Sequence, residues 1–378
     1  MSAPLPASQS LPPVAPSVAA EAYVRVGGGG VGVGGGPPID LWLDGNEGPA
    51  LDPALVQSAA ASLADGEAWR RYPIDSDLCA QLAARFGIEA NRVVLGAGAD
   101  ELLDRMCRAW LAPGRSLTAP LPCFAMLPRY VRAAGAELRG VSWTDGSAPI
   151  EELLRTAQGS AVLALTTPNN PTGGVIAGED IVRLARSLPN VLVLVDLAYA
   201  EFADRDPTAE LLTLANVVVV RTFSKARGLA GLRVGYAMGS AEAIAVLRAV
   251  GSPYPCSSLS LRICATALAE DDPQARIAQV RREREQLRLE LRKLGLEPLP
   301  SQANFVFARA ASSAAAQELR RALAAQGIAI RTFAATAGPP SDDALKDLQL
   351  ANAVRITCPG DAPSYDRLAR ALRQGDAK

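Results

Sequence analysis

The 378-residue chain is 49% hydrophobic, enough for a large core divided between two packed lobes. Lys plus Arg at 38 nearly cancels Asp plus Glu at 39, so no global field draws the chain to nucleic acid or to an anionic membrane, and any bound anion needs a local site. Histidine is absent (His 0), which removes the usual general base, the Ser-His and Cys-His pairs and imidazole metal ligation; the chemistry must use another group, and no metal site is expected.

Residues 1–38 are rich in Pro, Ala, Ser and Gly and end in "GGGGVGVGGGPP", a composition that reads as a flexible arm. Its G-x-G spacing has no buried strand before it and no helix after it, so a phosphate loop is not inferred. The N-terminus also lacks a secretory pattern, and no apolar run is long enough to span a bilayer. Cys79, Cys107, Cys123, Cys256, Cys264 and Cys358 show no C-x-x-C pair and read as reduced, mostly buried thiols of a cytoplasmic protein.

From about residue 75 to 240, short apolar runs alternate with helix-length segments: "RVVLGAG", "SLTAPL", "AELRGVSW", "AVLALTTP", "VLVLVDLAY", "NVVVVRTFS" and "LRVGYAMG". That texture predicts an α/β fold with a mainly parallel sheet covered on both faces, whose ligands collect at the carboxyl ends of the strands. Beyond about residue 256, "QARIAQVRREREQLRLELRKLG" predicts one long helix. Its apolar stripe is Ile277, Val280, Leu287, Leu291 and Leu294, and its charged face is solvated. The strands "ANFVFAR", "IAIRTF" and "AVRITCPG", with helices around "AQELRRALAAQG" and "YDRLARALRQ", then describe a smaller α/β lobe.

Three strand ends deliver polar residues just past an apolar run. "AVLALTTPNNPTGG" presents Asn169 and Asn170 in a turn of ordinary loop composition. "VLVLVDLAYAEF" ends in Asp196, a carboxylate that is costly to bury unless it meets a cation. "NVVVVRTFSKARGLAGLR" presents Thr222, Ser224 and Lys225, with Arg233 beyond, which looks like a phosphate cradle beside an amine. Met alone, such a lysine is equally a solvated charge at a strand end. The three segments are spaced as successive strand-helix-strand units, which places them on one sheet edge.

This pattern resembles the fold-type I pyridoxal-phosphate aminotransferases, and most closely the histidinol-phosphate aminotransferase group. The motifs "LDGNEGP", "RYP", "GAGADELLD", "PCFAML", "TTPNNPTGG", "VDLAYAEF", "RTFSKARGLAGLRVGY", "SQANFVF" and "VRIT" follow in the family order from about residue 40. The resemblance implies a large domain with a mainly parallel seven-stranded sheet between helices, over residues 75–270. It also implies a small α/β domain over 271–378, with residues 39–74 contributing to the small domain and to a dimer contact.

It further implies that Lys225 forms the Schiff base with the pyridoxal-phosphate aldehyde and moves the substrate proton, its pKa lowered by burial and a neighbouring arginine. Asp196 would pair with the pyridine nitrogen, while Tyr199 and Asn170 would bond the ring's phenolic oxygen. The backbone N–H groups of Ala99 and Asp100, with Thr222, Ser224 and Arg233, would hold the phosphate, and the Asp100 side chain would cap the helix. Phe124 would stack on the ring, and Tyr72 would reach the phosphate of the neighbouring subunit in a homodimer with shared sites. Arg355 would grip the substrate's carboxylate or phosphate, with Arg331 and Asn304 in the same anion pocket. Read without the resemblance, Tyr199 and Phe124 are also packed aromatics, Tyr72 a loop residue, and Arg331 and Asn304 polar residues at strand ends facing water. Arg227 reads as solvated.

The sequence departs from the family at Leu197, where an acidic residue is usual; strand alternation turns Leu197 into packing. It departs again at Pro255 in "SPYPCSSLS", where the group reads Pro-Tyr-Asn, and carries an insertion-like "TAGPPSDDALKDLQLANA". The function implied is an amino transfer between glutamate (2-oxoglutarate) and histidinol phosphate or a related amino compound. The alternatives are an aminotransferase for another amino acid, a threonine-phosphate-type decarboxylase, and a non-catalytic binding module on the same fold.

Overall fold

The structure is a computed structural model and describes residues 37–64, 66–333 and 350–374. Nearly all of the glycine-rich arm and most of the "TAGPPSDDALKDLQLANA" stretch lie outside the described residues. In chain order the strands are β1 (Leu41–Leu43), β2 (Val93–Gly96), β3 (Ser116–Leu121), β4 (Glu137–Ser142), β5 (Val162–Thr166), β6 (Leu192–Asp196), β7 (Val217–Thr222), β8 (Gly235–Met238), β9 (Glu297–Pro298), β10 (Phe305–Arg309), β11 (Ile328–Thr332) and β12 (Ala353–Thr357).

A seven-stranded sheet runs in the order β2-β8-β7-β6-β5-β3-β4. The run from β7 through β6, β5 and β3 to β4 is parallel, and β8 is antiparallel to both of its neighbours. The continuous Val/Leu runs explain the burial of both faces. Leu163, Leu165, Val193, Val195, Val217 and Val219 enter the core on one side. Their alternates Val162, Ala164, Leu192, Leu194, Val218 and Val220 enter the core on the other. Each fully buried Val or Leu contributes about 1.5–3 kcal/mol relative to exposure, so a strand with no polar face is held between two helical layers.

The smaller sheet has the order β1-β11-β12-β10-β9. Its first strand comes from the N-terminal segment, pairing Leu41 with Ile328 in parallel. Phe305, Val306, Val354 and Ile356 pack there against Ile277, Val280, Leu287 and Leu291 of the long helix Gln274–Lys293, with Leu294 at the margin. The charged face of that helix is less solvated than its sequence suggests. Glu283 is buried and accepts from Gln279 Nε2 (2.9 Å) and the Gly360 N–H (2.6 Å), while Arg284 donates to the carbonyls of Phe202 and Ala303.

Leu197 is fully buried in the main core, as strand alternation requires. All six cysteines are free thiols, and all but Cys123 are buried. Among the described residues no helix is long and apolar enough to cross a membrane. The register sets Thr166 beside Asp196 and Asp196 beside Val220, so the carboxyl ends of β5, β6 and β7 open onto one edge.

Candidate active site

A cavity of about 610 Å³ opens at that edge, between the two sheets. Lys225 reaches it from the loop after β7. Its amine donates to the Gly45 carbonyl at 3.2 Å and lies 5.6 Å from the centre of the Tyr199 ring. Burial, then the Arg355 guanidinium and, more weakly, Arg233 push the amine down from its ordinary 10.5 to about 7, against Glu47 and Asp196, which favour its charged form.

Asp196 closes β6 and is buried; its carboxylate accepts from the Ala198 N–H at 3.0 Å and forms no ion pair among the described residues. Burial pushes this carboxyl up to about 6, opposed by that N–H and by Lys225, with Asp100 adding to the rise. Three residues on, the Tyr199 hydroxyl accepts from Asn46 Nδ2 (3.1 Å) and Asn170 Nδ2 (3.3 Å), while Phe305 meets its ring edge to face at 5.2 Å. Burial raises the Tyr199 pKa. A neutral tyrosine that already accepts twice keeps its own proton for a third partner.

Asn170 links the two sheets, because its Oδ1 accepts from Arg355 at 2.6 Å. Arg355, on β12, also donates to the Asp44 carbonyl (2.8 Å) and lies over the Phe305 ring at 5.3 Å. Arg331 on β11 pairs with Arg355 across the antiparallel register and lines the same cavity. Phe124, Ala99 and Asp100 also line the cavity wall.

The helix Ala99–Trp110 begins at this wall after Gly98, whose φ of 86° suits glycine. A Cβ on Gly98 would stand 2.5 Å from an Arg233 guanidinium nitrogen, and one on Gly235 would stand 2.4 Å from the Ala99 nitrogen. The guanidinium is thus seated against the helix N-terminus. Beside it, Ser224 Oγ accepts from Arg233 (3.5 Å), and Thr222 Oγ1 donates to that same oxygen (3.0 Å) while accepting from the Ser224 N–H (3.1 Å).

Two of the named residues stand outside the cavity. Asn304 is fully buried behind the wall, where its Nδ2 donates to the Asn46 (3.3 Å) and Glu47 (3.1 Å) carbonyls, so it supports a loop. Tyr72 is 77% exposed and stacks on Tyr254 at 4.7 Å.

Two expectations are corrected. The Asp100 side chain does not cap its helix: Gly98 holds the cap position, and Asp100 Oδ1 accepts from the Tyr130 hydroxyl at 2.6 Å. Arg227 is buried, donating to the Ala267 and Asp271 carbonyls at 2.8 Å each, because the loop after Lys225 turns back onto the helix Ser258–Glu270.

The segment Gly45–Gly48 supplies site residues that no strand end announced. Asn46 has φ 52°, is buried, donates to Tyr199 and exchanges hydrogen bonds with Thr357. A Cβ on Gly48 would stand 1.8 Å from the Lys225 carbonyl. The available signal was two glycines flanking Asn-Glu just past the apolar "LWL".

The chain matches the aminotransferase class I and II family over residues 40–372. It is 34% identical to histidinol-phosphate aminotransferase 1 of Dechloromonas aromatica, over 78% of this chain and 83% of that protein. It is 32% identical to the histidinol-phosphate aminotransferase of Caldanaerobacter subterraneus subsp. tengcongensis, over 89% of this chain and 93% of that protein. The crystal structure of histidinol-phosphate aminotransferase from Sinorhizobium meliloti in complex with pyridoxal-5'-phosphate superposes with a TM-score of 0.79 at 27% identity, covering 90% of this chain and 91% of that one. The chain therefore belongs to the aminotransferase class I and II family and is a pyridoxal-phosphate-dependent aminotransferase of fold type I.

Proposed function

We propose that this aminotransferase moves an amino group between glutamate (2-oxoglutarate) and histidinol phosphate or a closely related amino compound, with Lys225 as the reacting amine. The observation that carries the reading is the Lys225 amine at the cavity wall, held by Gly45 and pushed down to about 7. Near neutral pH such an amine is populated in both protonation states, which is what a group that takes and returns the substrate proton requires in a chain without histidine.

The cavity fits pyridoxal phosphate on three counts. Gly98 leaves room for the Arg233 guanidinium at a helix N-terminus, and the Ala99 and Asp100 N–H groups, Thr222 and Ser224 supply further donors for a phosphate. Asp196 is a buried carboxylate whose raised pKa marks the want of a cationic N–H partner. Phe124 lines the same cavity and is an aromatic side chain suited to a flat ring.

Bound there, the cofactor supplies an aldehyde that exchanges amines and a ring that withdraws electrons from the substrate carbon. Asp196 would hold the cofactor through its ring N–H. Tyr199, accepting from Asn46 and Asn170, would donate its own O–H in a hydrogen bond to the ring oxygen. Lys225 would take and return the proton at the substrate carbon. Arg355, fixed by Asn170 and Asp44, forks onto the carboxylate of glutamate or the phosphate of the alternate substrate, with Arg331 beside it. Asn304 acts behind them by holding the Asn46–Glu47 backbone.

The working unit in this reading is a homodimer in the cytoplasm. The large domain spans residues 75–270 and the small domain 271–378, with residues 39–74 contributing a strand to the small domain and a dimer contact. Exposed Trp69, Tyr72 and Ile74, close in sequence, and Tyr254, stacked on Tyr72, support the dimer, since large apolar side chains exposed together are unusual in a monomer. The cytoplasmic placement rests on the free thiols.

The test is a half-reaction screen on the cofactor-loaded protein, following its visible absorbance as glutamate, histidinol phosphate, aromatic amino acids and threonine phosphate are added in turn. Conversion by both glutamate and histidinol phosphate, lost in Lys225→Ala, supports the reading. Silence with histidinol phosphate and conversion by an aromatic amino acid replaces the substrate; carbon dioxide release from threonine phosphate replaces the reaction.

A further inference from the structure

The cavity wall carries four cationic side chains, Lys225, Arg233, Arg331 and Arg355, and three carboxylates, Glu47, Asp100 and Asp196. Two of the carboxylates are engaged: Asp100 accepts from the Tyr130 hydroxyl (2.6 Å) and Asp196 from the Ala198 N–H (3.0 Å). The Glu47 carboxylate accepts no hydrogen bond and forms no ion pair among the described residues, although it lines the cavity.

Its backbone is fixed from both sides. Asn304 Nδ2 holds the Glu47 carbonyl at 3.1 Å, and the next residue, Gly48, lies so close to the Lys225 carbonyl that a Cβ would stand 1.8 Å from it. The side chain folds back over Gly45, where a Cβ would lie 3.7 Å from Glu47 Oε1. Gly45 is the residue whose carbonyl takes the Lys225 amine at 3.2 Å. An exposed carboxylate with no protein partner among the described residues thereby stands at the cavity wall beside the reacting amine, and its charge strengthens that amine's hold on its proton.

In a cavity that binds anions through arginines, such a carboxylate weakens any ligand that is anionic throughout. Glu47 is exposed and water solvates it in the free protein, so it favours a ligand that brings a positive charge or an N–H donor to it over one that only displaces that water. We propose that Glu47 is a specificity-determining residue that recognises a cationic or N–H-donating side chain of the amino substrate, an imidazole being the type, while Arg355 and Arg331 hold the substrate's anionic group. This rests on the reading of the cavity as an amino-substrate site and names the part of the substrate that reading leaves open.

The experiment measures binding, not turnover. Imidazolylpropyl phosphate and phenylpropyl phosphate lack the amino group and differ only in the ring; their affinities for the cofactor-loaded wild type and for Glu47→Gln are obtained by calorimetry. The wild type should prefer the imidazole probe, and Glu47→Gln should cut that preference by about tenfold, the scale of one charged hydrogen bond. Binding of the phenyl probe reports that the variant is folded.

An unchanged preference in Glu47→Gln overturns the proposal, as does an equal loss for both probes, which would place the effect on Lys225. If neither probe binds the wild type while glutamate still converts the cofactor, the phosphate-substrate reading fails. The ratio of kcat/KM for histidine over phenylalanine then decides the role of Glu47 by the same criterion.

Discussion

Arg355 and Asn170 come from different sheets and meet at 2.6 Å, guanidinium to amide oxygen, while the other end of the same amide donates to the Tyr199 hydroxyl at 3.3 Å. One side chain therefore couples the anion-gripping fork on β12 to the tyrosine that follows β6. Asn170→Ala removes one acceptor of Arg355 and one of the two amide donors to Tyr199. The expected result is a rise of about tenfold in KM for glutamate with a fall of ten- to hundredfold in kcat, the scale of losing one or two buried hydrogen bonds to charged or reacting groups. Steady-state kinetics check it, and a change confined to kcat would detach Asn170 from Arg355.

Stability of the cofactor-free protein should pass through a minimum near pH 6–7. Asp196 rises from 3.8 to about 6 on folding, so between those values the folded chain binds more protons than the unfolded one, and stability falls as pH rises. Glu283, raised from 4.5 to about 7, adds to the same falling limb. Lys225 moves the other way, from 10.5 to about 7. Above pH 7 the unfolded chain binds the extra proton, and stability recovers as pH rises toward 9, beyond which the six thiols held above their ordinary 9.0 lower it again. Denaturant midpoints across pH should lose part of the falling limb in Asp196→Asn and the recovering limb in Lys225→Met. A wild-type profile flat from pH 5 to 9 contradicts the assignment.

Gly48 has no room for a side chain, since its Cβ would stand 1.8 Å from the Lys225 carbonyl and 2.8 Å from Gly228 Cα. Both neighbours are backbone atoms, and Gly228 is itself held at φ 67°. Gly48→Ala must push the Gly45–Gly48 segment off the lysine loop, at a cost of about 1–3 kcal/mol. The expected outcome is a lower thermal midpoint together with weaker cofactor retention. Retention at the wild-type level in a destabilised variant would separate the loop from the site.

The parts of the site that lie at the ends of continuous apolar strands were legible in the sequence, because burial on both faces leaves the strand end as the place where polar residues emerge. Asp196, Thr222, Ser224 and Lys225 all fall in that class, as does Leu197 turned into the core. Asn46 did not. Its roles depend on a left-handed backbone and on partners at Tyr199 and Thr357, contacts that only the folding of the N-terminal segment onto the small sheet creates. Arg227 and Glu283 were misread for a related reason. Each is a charged residue in a locally polar stretch, and each is buried by a distant element, the Ala267–Asp271 helix end and the Gly360 turn, that supplies the compensating hydrogen bond.

Arg233 should matter to the phosphate and not to the ring. Its guanidinium rests against Gly98 at the start of the helix Ala99–Trp110 and bonds Ser224, so a phosphate between them meets one charged fork and a helix N-terminus. Arg233→Gln should weaken pyridoxal phosphate by about ten- to hundredfold and leave phosphate-free pyridoxal unaffected, at about 1.5–3 kcal/mol for a charged hydrogen-bonded contact. Fluorescence titration with the two cofactors gives both numbers. Equal losses for both would mean that Arg233 shapes the loop and does not read the phosphate.

Trp69, Tyr72, Ile74 and Tyr254 are 68%, 77%, 77% and 50% exposed, and Tyr72 stacks on Tyr254 with the ring planes only 14° apart. Aromatic rings paired with each other and open to solvent on their outer faces lose much of the hydrophobic stabilisation they could gain, which a second copy of the chain would supply. Tyr72 also lies outside the cavity of its own chain, so any contact it makes with a cofactor is with the partner's. Sedimentation of the cofactor-loaded protein should show a dimer, and the double variant Trp69→Glu, Ile74→Glu should shift it toward monomer. Tyr72→Phe should leave the dimer intact and weaken cofactor retention, because it removes only the hydroxyl. A wild type that is monomeric and fully active across a thousandfold dilution would remove both the shared site and the role assigned to Tyr72.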